Sequence, residues 1–162
     1  MPELTRALDP SSRSLTEVSQ IGETSHDDTC EWDQARMPET EIRFYCEGDG
    51  SAPVLDWLVE LSESAPRAYQ KCRTAIERLA TFGYELRRPQ ADLLKDGIHE
   101  LRVRVGRANY RVLYFFHGRN VVVLAHGLTK EEKVPPADLK RALERKLSFE
   151  ADPEAHTYEE DR

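Results

Sequence analysis

Five arginines (Arg102, Arg104, Arg107, Arg111 and Arg119) fall between Leu101 and Arg119, and no acid lies among them. A guanidinium is a planar fork of donors that can meet two phosphate oxygens at once, which a point-charge ammonium does not do. In Leu101-Arg102-Val103-Arg104-Val105 the apolar residues alternate with the arginines. On a strand Arg102 and Arg104 therefore share one face, and Leu101, Val103 and Val105 share the other. Arg111 stands inside the otherwise apolar run Tyr110-Arg111-Val112-Leu113-Tyr114-Phe115-Phe116. An arginine there has two readings. Its stem can cover apolar surface while its head reaches water, or the fork can be aimed at a phosphate. Three such side chains on adjacent strands give the phosphate reading its weight.

The elements that must position them can be read from period and punctuation. Asp96 to Pro136 reads as three strands in an antiparallel meander, rich in β-branched and aromatic residues. Gly97 opens the first strand, Gly106 sits in the first turn, and Gly118-Arg119-Asn120 makes the second. Upstream, Glu41 to Cys46 alternates like a strand. Ser51 is expected to cap a helix carrying Val54, Trp57, Leu58 and Leu61 at helical spacing. A second helix starts at Ser64-Ala65-Pro66, buries Tyr69, Cys72, Ile76 and Leu79, and ends at Gly83. A link bearing Arg87, Arg88 and Lys95 leads into the meander. Pro135-Pro136 opens a last helix with Leu139, Ala142, Leu143 and Leu147 inward and Lys140, Arg141, Arg145 and Lys146 mostly outward. The order is β-α-α-β-β-β-α, an α/β (α+β) fold with a helix hairpin on one sheet face and a C-terminal helix.

At 162 residues the chain has the size of one domain with tails. Its net charge of −7 is unevenly spread. Residues 1–36 carry eight acids and three bases, and residues 151–162 carry five acids and one base. The middle, 37–150, is left with a net charge of +2, so a basic centre able to attract nucleic-acid phosphate lies between acidic ends. Residues 1–36, dominated by Ser, Thr, Asp and Glu, read as a disordered arm, and residues 151–162 as an acidic frayed tail. The arm and tail are candidates to shield the basic centre, and Met37 is a candidate alternative start. Cys30, Cys46 and Cys72 are too few and too far apart for a disulfide framework or a metal site. No run of eighteen apolar residues and no signal-peptide pattern occurs, so a reducing cytoplasm is the expected location.

The segments Asp96-Gly97-Ile98-His99-Glu100-Leu101-Arg102, Tyr110-Arg111-Val112-Leu113-Tyr114-Phe115 and His126-Gly127-Leu128-Thr129-Lys130, followed by Pro135, resemble the phage-derived, HigB-like branch of the RelE/ParE toxin superfamily. The resemblance covers roughly residues 40–148, and 37–150 is taken as the toxin domain. It implies the toxin of a type II toxin–antitoxin pair that cuts messenger RNA, often on the ribosome, without a metal or other cofactor. It also implies a cognate antitoxin, commonly a helix-turn-helix protein, as partner. A ParE-like toxin that binds a protein target such as a topoisomerase is the alternative. So is a catalytically inactive relative that binds only nucleic acid or antitoxin.

Cleavage of this kind uses the 2′-hydroxyl beside the scissile phosphate as nucleophile. The protein must align that hydroxyl, stabilise phosphoryl charge and move protons. Arg111 matches the family's central-strand arginine, which implies phosphate stabilisation. Arg104, His126 and Lys130 complete the expected catalytic set, with His126 the side chain best placed to titrate near neutrality. Arg102, Arg107, Lys133, Lys95 and Tyr110 are expected to bind RNA, with Tyr110 as a stacking surface. His126 as a strand-end histidine satisfied by backbone, the lysines as a solvated mixed-charge loop, and Tyr110 as core stand as the alternatives. The family offers two adjacent basic residues after the last strand. Here Lys130 is followed by Glu131 and Glu132, so either Lys133 substitutes or catalysis is weakened.

Overall fold

Two successive amphipathic helices form a hairpin because each has one apolar stripe to bury. Helix α1 (Pro53–Ser64) buries Val54, Leu58 and Leu61, and helix α2 (Pro66–Phe82) buries Ala68, Cys72 and Leu79. The expected Ser51 cap is not formed. Ala52 is the N-cap residue, Pro53 supplies the fixed first turn, and the Ser51 hydroxyl bonds Asp49 at 2.7 Å instead. Gly83 ends α2 at a φ of 50°, and a side chain there would strike the Thr40 hydroxyl. The computed structural model describes residues 39–129 and 132–160. The chain divides into units 1–38 and 39–162, and the fold is that of the second. The arm, the candidate start at Met37 and the site residue Lys130 lie outside the described residues.

Five strands build one mixed sheet: β1 (Glu41–Phe44), β2 (Ala91–Lys95), β3 (Ile98–Val105), β4 (Ala108–His117) and β5 (Val121–Thr129). Their spatial order is β1-β5-β4-β3-β2. The expected meander is β3-β4-β5, all antiparallel, and β1 joins β5 in parallel. Strand β2 lies in what the sequence reading took as a link. It has no β-branched residue, but Asp96 and Gly97 both adopt positive φ (52° and 79°) and turn it into a hairpin with β3.

The two faces carry separate cores. The hairpin covers Leu101, Val103, Tyr110, Val112, Tyr114, Val122 and Leu124. Helix α3 (Pro136–Ala151) covers the other face over Ile98, Leu113, Phe115, Val123, Ala125 and Leu128. Its phase corrects the expected stripe. Ala142 and Phe149, one heptad apart, are fully buried, whereas Leu147 is 66% exposed. Arg145, expected outward, turns in to donate to the Ala125 carbonyl at 2.9 Å.

Residues 152–160, expected to fray, run back along β1. Cys46 N–H donates to the His156 carbonyl at 2.9 Å, and Tyr158 N–H to that of Phe44 at 3.0 Å. The His156 ring stacks on Tyr45 with 5.3 Å between centroids. The outer edge of β1 is a row of polar groups, and this segment pairs with part of it.

Candidate nucleic-acid interface

Alternation along β3 places Ile98, Glu100, Arg102 and Arg104 on the α3 face of the sheet. The apolar partners of α3 end near Ile98 on this strand, so the arginine end is left uncovered. On β4 Arg111 pairs directly with Arg102, and Asn109 with Arg104. Two like charges facing each other across an antiparallel pair repel. Glu100 resolves that repulsion.

Glu100 is 1% exposed and is the buried charged residue among those described. Its Oε1 accepts from Arg102 Nε at 2.6 Å, and its Oε2 accepts from Arg111 Nη1. Arg111 Nη2 donates in turn to the Glu132 carbonyl, which fixes the plane of the guanidinium. Arg102 also reaches Asp92 Oδ2 at 3.3 Å, and Arg88 holds the same oxygen at 2.6 Å. The Arg88 hydrogen bond, opposed in part by desolvation, holds the Asp92 carboxyl below its ordinary pKa. A groove of about 310 Å³ opens over this network, lined by Arg102, Arg104, Asn109 and Arg111 and closed by Pro89 and Gln90. Among the described residues four guanidiniums (Arg88, Arg102, Arg104, Arg111) gather around the carboxylates of Glu100 and Asp92, which sets several planar donors of the kind that suits an anion at this end of the sheet.

The remaining expected residues are distributed unevenly. Arg104 is exposed at the groove, with its Nε 3.2 Å from the Gly106 carbonyl. Arg107 lies exposed on the adjoining β3–β4 turn, and Lys133 is exposed in the segment between β5 and α3. Lys95 is not brought to the groove. It pairs with Ile98, four residues and hence about 13 Å along β3 from Arg102. Tyr110 contributes to the groove's lining, but its strand position turns its ring to the opposite face, where it is 5% exposed in the hairpin core.

His126 shares the arginine face, opposite Leu113, where a bulge at Ala125 shifts the β4–β5 register. Both ring nitrogens are engaged. Arg145 Nη1 lies 2.9 Å from Nδ1, and Asp138 Oδ1 lies 2.8 Å from Nε2. A guanidinium can only donate, so Nδ1 accepts and Nε2–H donates to Asp138, which defines a neutral imidazole. Burial lowers its pKa, with the Asp138 bond opposing and the Arg145 charge assisting. Arg145 is itself held by Glu47 at 2.8 Å. The imidazole therefore joins β5 to α3 rather than opening to the groove.

Sequence reasoning missed Glu100 and Asp92. The signal for Glu100 was present: the alternation that puts Arg102 and Arg104 on one face also puts Glu100 there. The acid-free window began one residue too late to include it.

The fold and this site define a RelE-like α+β protein with an arginine-lined sheet groove. Residues 56–147 match the family described as phage derived protein Gp49-like (DUF891), and the chain belongs to that family. It is a RelE/toxin-like family of toxin–antitoxin context. No curated protein matches the chain. Among the described residues no helix is long and apolar enough to cross a membrane, and no His, Cys, Asp and Glu side chains gather as a metal site.

Proposed function

We propose that this chain is the toxin of a type II toxin–antitoxin pair, in the HigB-like branch, and that it cuts messenger RNA in the cytoplasm on translating ribosomes. The observation that carries the proposal is the pair of guanidiniums braced by Glu100 at the floor of an open basic groove. Preorganised donors aimed at developing charge are the main device for stabilising a phosphoryl transition state. Arg111 and Arg102 take the non-bridging oxygens of the scissile phosphate, and Arg104 takes a flanking phosphate. The 2′-oxygen attacks phosphorus and the bond to the 5′-oxygen breaks. The proton lost by the 2′-hydroxyl is balanced by one delivered to the leaving oxygen. The products are a 2′,3′-cyclic phosphate and a 5′-hydroxyl. Lys130, next after Thr129 at the end of β5, and Lys133 are the proposed cationic partners from the following loop. His126 acts as a positioning residue through Asp138 and Arg145. A helix-turn-helix antitoxin is the proposed partner that neutralises the chain.

Mapping transcript 5′ ends after brief induction in a bacterial host tests this reading. New internal ends within coding regions, seen with the wild type and lost in Arg111→Ala and Arg104→Ala, support it. Growth arrest without new ends overturns it in favour of a ParE-like toxin with a protein target. Neither arrest nor cleavage from folded protein points to an inactive nucleic-acid or antitoxin binder. One observation favours the last reading: Glu100 and Asp92 already offset two of the four guanidiniums.

A further inference from the structure

On the hairpin face, where α2 has ended, the sheet carries a second opening of about 450 Å³. Its floor is aromatic. Phe116 meets Tyr114 edge-on with 5.7 Å between centroids, and His99 stacks on Tyr114 at 5.2 Å. Tyr84 follows α2 in the short 3₁₀ turn Gly83–Glu85, stands over Phe116 in parallel stacking, and is 54% exposed. Leu93 on β2 forms the opposite wall and is 58% exposed. Arg87, Arg88 and Asp92 rim the opening. The cleft opens at the margin of the hairpin core, to which Tyr114 and Phe116 belong, and none of its aromatic residues takes part in the arginine groove.

We infer that the cleft holds one unpaired nucleobase of a single-stranded RNA, with Arg87 and Arg88 on its neighbouring phosphate. The exposed Tyr84 ring can accept any base by stacking, and adjacent guanidiniums supply the counter-charge. An aliphatic protein side chain would use Leu93 but would leave the arginines and the stacked rings unused. The position also fits. Strand β2 is an edge strand of five residues, with the groove on one side and the cleft on the other. Asp92 on that strand binds Arg102 of the groove and Arg88 of the cleft through the same oxygen. An RNA strand leaving the groove past β2 reaches the rim of the cleft next. The cleft would therefore add affinity outside the site of cleavage.

This inference rests on the RNA-cleaving reading, and the probe separates the two. A fluorescent eight-nucleotide 2′-O-methyl RNA cannot be cut, so its anisotropy reports binding alone. Tyr84→Ala, an exposed position, is expected to weaken binding roughly 5- to 150-fold, the loss of one stacked base. Tyr84→Phe, which keeps the ring and loses only the hydroxyl bond to the Gly118 carbonyl, should stay near wild type. Unchanged affinity in Tyr84→Ala, with transcript cleavage intact, overturns the cleft and leaves the groove standing. Equal weakening in Tyr84→Phe assigns the loss to the turn rather than to stacking and also overturns it. Binding of the probe by neither wild type nor Arg104→Ala removes the RNA reading itself. Antitoxin capture lost in Tyr84→Ala, with RNA affinity unchanged, makes the cleft a protein surface instead.

Discussion

The carboxylate of Glu100 is almost fully buried, yet it stands 2.6 Å from the Nε of Arg102. Its other oxygen takes the Arg111 guanidinium. A buried carboxylate shared by two cations costs desolvation, and removing it leaves two guanidiniums facing each other with no counter-charge. Glu100→Ala should therefore destabilise the fold by about 3 kcal/mol, a loss read from the midpoint of urea unfolding at constant slope. Glu100→Gln keeps the shape and one acceptor, so a smaller loss is expected. If Glu100→Ala unfolds with the wild-type midpoint, the brace has no structural weight.

Arg104 differs from Arg111 in a way that separates binding from folding. Its side chain is exposed and bonds the Gly106 carbonyl of the turn, whereas Arg111 is tied to Glu100 and to the Glu132 carbonyl. Arg104→Ala should leave the melting temperature within a degree or two while weakening RNA binding. The slope of log affinity against log salt should fall by about one phosphate contact. An unaltered salt slope would place Arg104 outside the RNA path.

Much of the arrangement is legible in the sequence alone. Strands β3 to β5 announce themselves through β-branched and aromatic runs between glycine turns, and the hairpin through its two apolar stripes. The neighbouring positions of Arg102, Arg104 and Arg111 follow from strand alternation and the short β3–β4 turn alone. Strand β2 was missed because Ala91-Asp92-Leu93-Leu94-Lys95 has no strand propensity of its own, although Asp96-Gly97 is a strong hairpin signal. The engagement of His126 was not readable, since Arg145 and Asp138 reach it from a helix whose phase only packing decides. The inward turn of Arg145 and the outward turn of Leu147 are the same lesson. A helix bearing leucines on more than one side does not disclose which side the sheet will take.

The neutral His126 gives stability a pH dependence of definite sign. Its ordinary value is 6.5, and burial lowers it in the folded chain. Between the folded and unfolded values the unfolded state binds the extra proton, so stability is lost as pH falls below about 6.5. The loss runs at most about 1.4 kcal/mol per pH unit for one such group. His99, also lowered chiefly by burial, adds a slope of the same sign. Urea midpoints between pH 7.5 and pH 5.5 should fall, and His126→Asn should flatten that fall from a lower starting stability. A wild-type midpoint that rises on acidification would contradict the assigned tautomer.

Gly127 shows how closely the hairpin sits on the site-bearing strand. The Trp57 indole packs against it, and a Cβ built on Gly127 would come within 2.6 Å of Trp57 Cε3. The indole cannot simply swing away, because its Nε1–H donates to the Thr129 hydroxyl at 2.7 Å. Thr129 is the last residue of β5, directly before Lys130. Gly127→Ala should therefore push Trp57 out, break that bond and cost about 1–3 kcal/mol by overpacking. The same displacement frees the end of β5, so RNA cleavage should drop more than the remaining folded fraction explains. Trp57→Phe in the Gly127→Ala background tests the cause, since a smaller ring without the donor relieves the clash. Recovery of stability in the double variant, measured by urea unfolding, fits the packing account; no recovery would place the strain in the β5 backbone instead.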